Sequence, residues 1–174
     1  TFELTDEGWT AQSTALTSAW RRGAPGATST TSFQNIPYTD AATSTLTSPA
    51  LTHTGGWVYV GFNLQTNTEP GFDFVNVGWS TDGTNWNAAT WAWDAASSTW
   101  RDDKTFTGVN ASYPAFDAER VAFNAPAGPL YLRFRLSSDE LVLSPAYTGA
   151  AVGGGTVSRE PPPLHCRAES RRAG

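Results

Sequence analysis

A chain of 174 residues is long enough for one domain with a full hydrophobic core and too short for two independent domains of ordinary size. Residues 1–158 carry seven Lys or Arg against fourteen Asp or Glu, a net charge of −7, while residues 159–174 carry four against two, a net charge of +2. An acidic body has no basic stripe to neutralise phosphates, which argues against nucleic acid and anionic lipid as main partners and leaves calcium, neutral glycans or protein.

Aromatic residues make up 13% of the chain, Thr and Ser are abundant and Met is absent, a mixture that favours strands over helices. The first fifty residues hold short apolar pieces among Thr, Ser, Ala and Gly and read as short strands joined by surface loops. "TGG" at 54–56 then marks a break before a strong strand, "WVYVGFNLQT". It places Trp57, Tyr59, Gly61 and Asn63 on one face and Val58, Val60, Phe62 and Leu64 on the other. His53, just before the break, reads as a surface residue. "FDFVNVGWS" alternates Phe72, Phe74, Asn76 and Gly78 against Asp73, Val75, Val77 and Trp79, and "TDGT" at 81–84 is the signature of a two-residue hairpin turn.

"WNAATWAWDAASSTW" follows, with Trp86, Trp91, Trp93 and Trp100 inside fifteen residues. Buried tryptophans fill a sandwich core, whereas exposed ones stack on sugar rings; strand alternation favours core filling. "AFDAERVAFN" at 115–124 suits a strand about as well as a helical turn. "APAGP" at 125–129 is a second break, and "LYLRFRL" turns Leu130, Leu132, Phe134 and Leu136 inward. Many short strands between turns imply an all-β fold, an antiparallel two-sheet sandwich. From Pro145 onward the pattern fails, so the domain is expected to occupy residues 1–145. Residues 146–174, rich in Gly, Pro and Arg, form a tail outside the core pattern.

The only cysteine, Cys166, lies in that tail, which leaves the body without an internal disulfide or a Cys-based zinc site. No apolar run approaches the length of a membrane span, and the N-terminus lacks a signal pattern, so an exported form of this chain would be a mature fragment.

Glu69 and Asp73 flank a "PGF" turn that leads into a strand. Carboxylates at this spacing, with backbone carbonyls and remote acids such as Glu3, Asp6 or Asp139, suit calcium, which needs six to eight oxygens. The plain alternative is solvated acids at strand ends. Two carboxylates facing each other across a groove would instead suit an acid-acting hydrolase. No histidine triad or zinc site is evident, because His53 and His165 stand alone.

In order along the chain, "FELTDEGWT", "WRRGAPG", "STLTSPALT", the Trp57 strand, "EPGFDFVNVGWSTDGTNW" and "AGPLYLRFRLSSD" resemble the MAM-like jelly-roll modules of bacterial exported proteins. Among these are the module beside the catalytic domain of immune-inhibitor-A-type metallopeptidases and the cleaved-adhesin and choice-of-anchor modules. The resemblance covers residues 2–139. It implies a jelly-roll β-sandwich that is noncatalytic, secreted or on the cell surface, and that serves adhesion or accompanies a larger parent polypeptide. It also implies a structural calcium, with Glu3, Glu69 and Asp73 at the matching positions; Asp139, from the residue reading above, completes the candidate ligand set. The partner would be a protein or a glycan, and Trp91, Trp93 and Trp100 are the candidate contacts for a carbohydrate-binding alternative. Such modules continue to an Asp-Asp pair in a closing strand. Here Asp139 and Glu140 come too early for that pair, so the closing strand is expected to be missing or improvised.

Overall fold

The computed structural model describes residues 8–15, 19–24, 32–94, 97, 99–101, 105–140 and 147–158. Twelve strands and no helix occur among them: β1 (Thr10–Ser13), β2 (Arg21–Gly23), β3 (Ser32–Asn35), β4 (Thr43–Thr47), β5 (Leu51–Asn67), β6 (Phe74–Ser80), β7 (Asn87–Ala88), β8 (Trp91–Asp94), β9 (Thr99–Arg101), β10 (Thr105–Phe106), β11 (Asp117–Ser137) and β12 (Gly149–Ser158). Every pairing is antiparallel. The first sheet runs β2-β3-β12-β5-β11-β8-β9, and the second runs β1-β4-β11-β6, with β7 and β10 along the far side of β6. This is the expected jelly-roll sandwich.

The strand β11 belongs to both sheets. Its first part, Asp117 to Leu130, pairs with β5, and its last, Tyr131 to Ser137, pairs with β6. The expected breaks at 54–56 and 125–129 are therefore not breaks. Ala125 lies opposite Gly56 and Ala127 opposite Thr54 within one unbroken register. Gly55, Gly56 and Gly128 take φ values of 89°, 101° and 133°, which side-chain-bearing residues rarely adopt. Glycine at these positions bends the paired ribbon without ending its ladder, and the chain turns from one sheet to the other.

The core fills the space between the sheets as the alternation predicts. Val58, Val60, Phe62 and Leu64 from the first sheet meet Val75, Val77, Leu132, Phe134 and Leu136 from the second, all buried. Aromatic rings bridge the layers: Phe62 stands edge-on to Phe134 at 5.1 Å, and Trp79 stacks on Phe123 at 5.2 Å and 4°. Each fully buried large apolar side chain contributes about 1.5–3 kcal/mol.

His53 is also buried, at 7% exposure, because it shares the inward parity of Leu51 in the first segment of β5. The surface position expected for it is not what the fold gives.

Two further expectations are corrected. Residues 149–158 are not outside the core pattern: β12 inserts between β3 and β5, and Ala150, Ala151 and Val152 are fully buried. Small side chains read as linker in the sequence, yet they suit a strand closely packed by neighbours. β12 supplies the closing strand that the resemblance left missing or improvised. Residues 159–174, with Cys166 and His165, lie outside the described residues.

The "TDGT" segment does not form a two-residue turn either, because β6 and β7 first pair at Trp79 and Asn87. The Asp82 carboxylate instead accepts from the backbone N–H groups of Thr84 (2.8 Å) and Asn85 (2.7 Å), from the Asn85 side chain (2.7 Å) and from the Ser80 hydroxyl (2.9 Å). These bonds, that of the Asn85 side chain foremost, hold Asp82 well below the usual carboxylate range. They define a wider loop in which Asp82 is structural. No helix is long and apolar enough to cross a membrane among the described residues.

Candidate functional site

On the outer face of the first sheet the alternation that buries Val58, Val60 and Phe62 turns Trp57, Tyr59, Gly61 and Asn63 outward. Tyr59 and Trp91 are both cross-strand partners of Ala122, so the three side chains share one row on one face. Ala122 is small and lies low between two rings. Trp100 pairs with Trp93 on the neighbouring strands, with ring centroids 5.4 Å apart at 71°. Tyr59 reaches Trp100 at 5.9 Å and Trp57 at 6.3 Å. Together Trp57, Tyr59, Trp91, Trp100 and Ala122 line an open hollow of about 410 Å³.

Core filling was the expectation for Trp91, Trp93 and Trp100, and the structure corrects it. Trp91 is 38% exposed and Trp57 40%, while the inward residue of β8 is Ala92, at 0%. Ala92 lies opposite Val121, where Val121, Phe123 and Trp79 already occupy the interior, so the large rings go outward. Trp57, Tyr59 and Ala122 were not singled out as site residues. The outward parity of Trp57 and Tyr59 was the available signal.

The hollow continues along β5. Tyr59, Gly61, Arg120, Thr156 and Ser158 border a small depression of about 40 Å³. Beyond it a second hollow of about 310 Å³ is lined by Gly61, Asn63, Arg120, Glu119, Thr156 and Gly154, among others. A register shift in β12 between Gly153 and Gly155 turns Gly154 out of the ladder, and its carbonyl accepts from the Asn63 amide at 3.0 Å. The outer face of this sheet thus carries an aromatic end and a polar end.

The acids expected to hold calcium gather elsewhere. Asp73 is fully buried. One of its oxygens accepts from the Tyr38 hydroxyl at 2.5 Å and the Glu69 N–H at 3.3 Å, and the other from the Asp139 N–H at 3.3 Å. Burial, with Asp73 alongside, pushes the Tyr38 hydroxyl far above its ordinary pKa and keeps it a donor. Glu69, Asp73 and Asp139 are therefore brought together, while Glu3 lies outside the described residues. The Oε2 atom of Glu69 is buried, and no hydrogen-bond partner for it occurs among the described residues. Its carboxyl is pushed up by burial first, then by Asp73, Asp139 and Asp40. Among the described residues no group of three or more His, Cys, Asp or Glu side chains is arranged to hold a metal ion.

The raised Glu69 value has a direct consequence for stability. The folded protein holds this proton more tightly than the unfolded chain, so the stability it contributes is present below the ordinary glutamate pKa and is lost as pH rises through the raised one. In chelator, the urea midpoint is expected to fall across that window in the wild type and to fall less in Glu69→Gln. Parallel curves would show that Glu69 is not the group responsible.

No protein-family model matches the sequence, and no curated protein sequence matches it. Solved structures do. A carbohydrate-binding module, TmCBM61 in complex with beta-1,4-galactotriose, aligns with a TM-score of 0.56 at 9% identity, over 88% of this chain and 90% of that one. The K1 cleaved adhesin domain of Lys-gingipain from Porphyromonas gingivalis W83 aligns at 0.54 and 16% identity, over 90% and 94%. CBM35 from Paenibacillus barcinonensis gives 0.52 and 16%, over 90% and 96%. What is shared is the fold. It is a β-sandwich used by binding and adhesin modules, and the MAM-like resemblance goes no further than that here.

Proposed function

We propose that this domain is a noncatalytic, extracellular binding module that holds a neutral glycan against the outer face of its first sheet. The observation that carries the reading is the exposed aromatic hollow of Trp57, Tyr59, Trp91 and Trp100, two of whose rings are about two-fifths exposed. Flat, amphipathic rings in water stack on the apolar faces of sugars, and they are costly to leave exposed without such a role. The shared fold with carbohydrate-binding modules supports the reading. So does the acidic body, which disfavours polyanions. Among the described residues the lining of the hollow is Trp57, Tyr59, Trp91, Trp100 and Ala122, a set suited to stacking on sugar faces. A glycan array probed with the purified domain tests it: retention on a neutral glycan family supports the module, and retention on none of them overturns it. Adhesion, or service to a larger parent polypeptide, would follow from such binding.

Calcium is a separate proposal, supported by the uncompensated Oε2 of Glu69 beside Asp40, Asp73 and Asp139. A cation there would offset the mutual repulsion of these acids, with Glu69 and Asp139 as the first residues to replace. Binding at a hundredfold excess over the dissociation constant stabilises by about 2.7 kcal/mol. A melting midpoint that rises from EDTA to calcium, and stays put in Glu69→Gln, is the expected result. Identical midpoints would remove calcium from the account.

A further inference from the structure

Three hollows on the outer face of the first sheet adjoin one another through shared lining residues. The aromatic one and the small one share Tyr59, and the small one and the polar one share Gly61, Arg120 and Thr156. They follow the outward residues of a single strand from Trp57 to Asn63. At about 3.3 Å per residue that path is about 20 Å long, the length of roughly four sugar rings in a linear chain.

Small side chains keep the path open. Gly61 stands at its middle, and a Cβ there would meet only the Thr156 hydroxyl, at 3.1 Å. Ala122 floors the aromatic end between Tyr59 and Trp91. At the other end the Asn63 amide is anchored on Gly154 beside Arg120 and Thr156, groups that hydrogen-bond hydroxyls. A site for one terminal sugar would need only the aromatic hollow. The geometry points to something longer: a linear neutral polysaccharide bound along an internal stretch of at least four units. Its rings stack near Trp57, Tyr59 and Trp91, and its hydroxyls are read at Arg120, Asn63 and Thr156. This rests on the glycan reading above.

The test is calorimetric titration with a ladder of linear oligosaccharides, from two to six units, drawn from the glycan family that the array identifies. Affinity is expected to rise by about tenfold or more from two units to four and then to level off. Gly61→Leu should cap that rise at the two-unit affinity, since the position has an ordinary strand φ, the Thr156 hydroxyl 3.1 Å from the new Cβ has only to turn aside, and the leucine side chain fills the middle of the path. Arg120→Ala should flatten the rise without obstructing the path, and melting curves would confirm that both variants fold. Affinity that is already maximal at two units would overturn the extended site and leave the aromatic hollow as a chain-end site. A rise with length that Gly61→Leu and Arg120→Ala both leave intact would also overturn it, by placing the chain elsewhere. Failure of every oligosaccharide to bind would overturn this inference together with the glycan reading.

Discussion

Replacing Trp57 and Trp91 together with alanine is expected to weaken glycan binding by about a hundredfold or more, with little change in melting temperature. Buried aromatic contacts dominate binding surfaces, and loss of a single ring commonly costs about 2 kcal/mol or more. These two rings are 40% and 38% exposed in the unbound domain, so the fold depends on them little while a stacked ligand would cover them. Tyr59 and Trp100 remain in the double variant, but the outer walls of the hollow are gone. Calorimetry against the best array ligand reads the loss, and a melting curve on the same sample reads the fold. If affinity falls only in proportion to a lowered melting temperature, the rings are structural.

Phe134→Ala is expected to give the opposite pattern: a large loss of stability with binding retained wherever the protein is folded. Phe134 is fully buried, stands 5.1 Å from Phe62 across the sandwich and lies 6.3 Å from Trp9. Phenylalanine-to-alanine changes at such positions cost about 3–5 kcal/mol, because the transfer free energy is lost and a cavity stays behind. For a chain of this size that lowers the melting temperature by on the order of 10 °C. The loss is also a large share of a typical net stability of about 5–15 kcal/mol. Urea unfolding measures it, and a cost below about 1 kcal/mol would show that the two sheets do not depend on this contact.

Much of this architecture could be read from the alternation of residues. The inward sets of the Trp57 and Leu130 segments are buried as their parity requires, because a half-buried strand has only one way to hide four large apolar side chains; in the Asp73 segment Val75 and Val77 are buried and Trp79 packs half-buried against the core. What parity alone leaves undecided is which face turns inward when one face carries tryptophan and the other alanine. Residues 91–93 are that case. The interior beside Val121 was already full, and that is a property of the neighbouring strands. The aromatic hollow is therefore legible in composition, while the face that carries it is not.

Strand length was hidden for a related reason. Gly56 and Gly128 look like ends, yet they sit opposite Ala125 and His53 in the ladder, and a ladder partner decides whether glycine ends a strand or bends it. The sequence of β12, "GAAVGGGTVS", has the composition of a linker, and its burial depends on β3 and β5 pairing on either side of it. For the acids, the sequence brought Glu69, Asp73 and Asp139 to notice together. It could not show that Asp73 would be consumed as an acceptor for Tyr38, Glu69 and Asp139.

The most direct test of the central claim is nitrogen–proton correlation spectroscopy on labelled domain during titration with a linear neutral oligosaccharide that the array selects. The tryptophan indole signals are the reporters. Those of Trp57, Trp91 and Trp100 should shift progressively with ligand, while Trp20 and Trp79, which are buried or face the core, stay still. Shifts confined instead to other exposed apolar residues, Phe72, Val109 and Tyr113, with the platform indoles unmoved, would contradict the account.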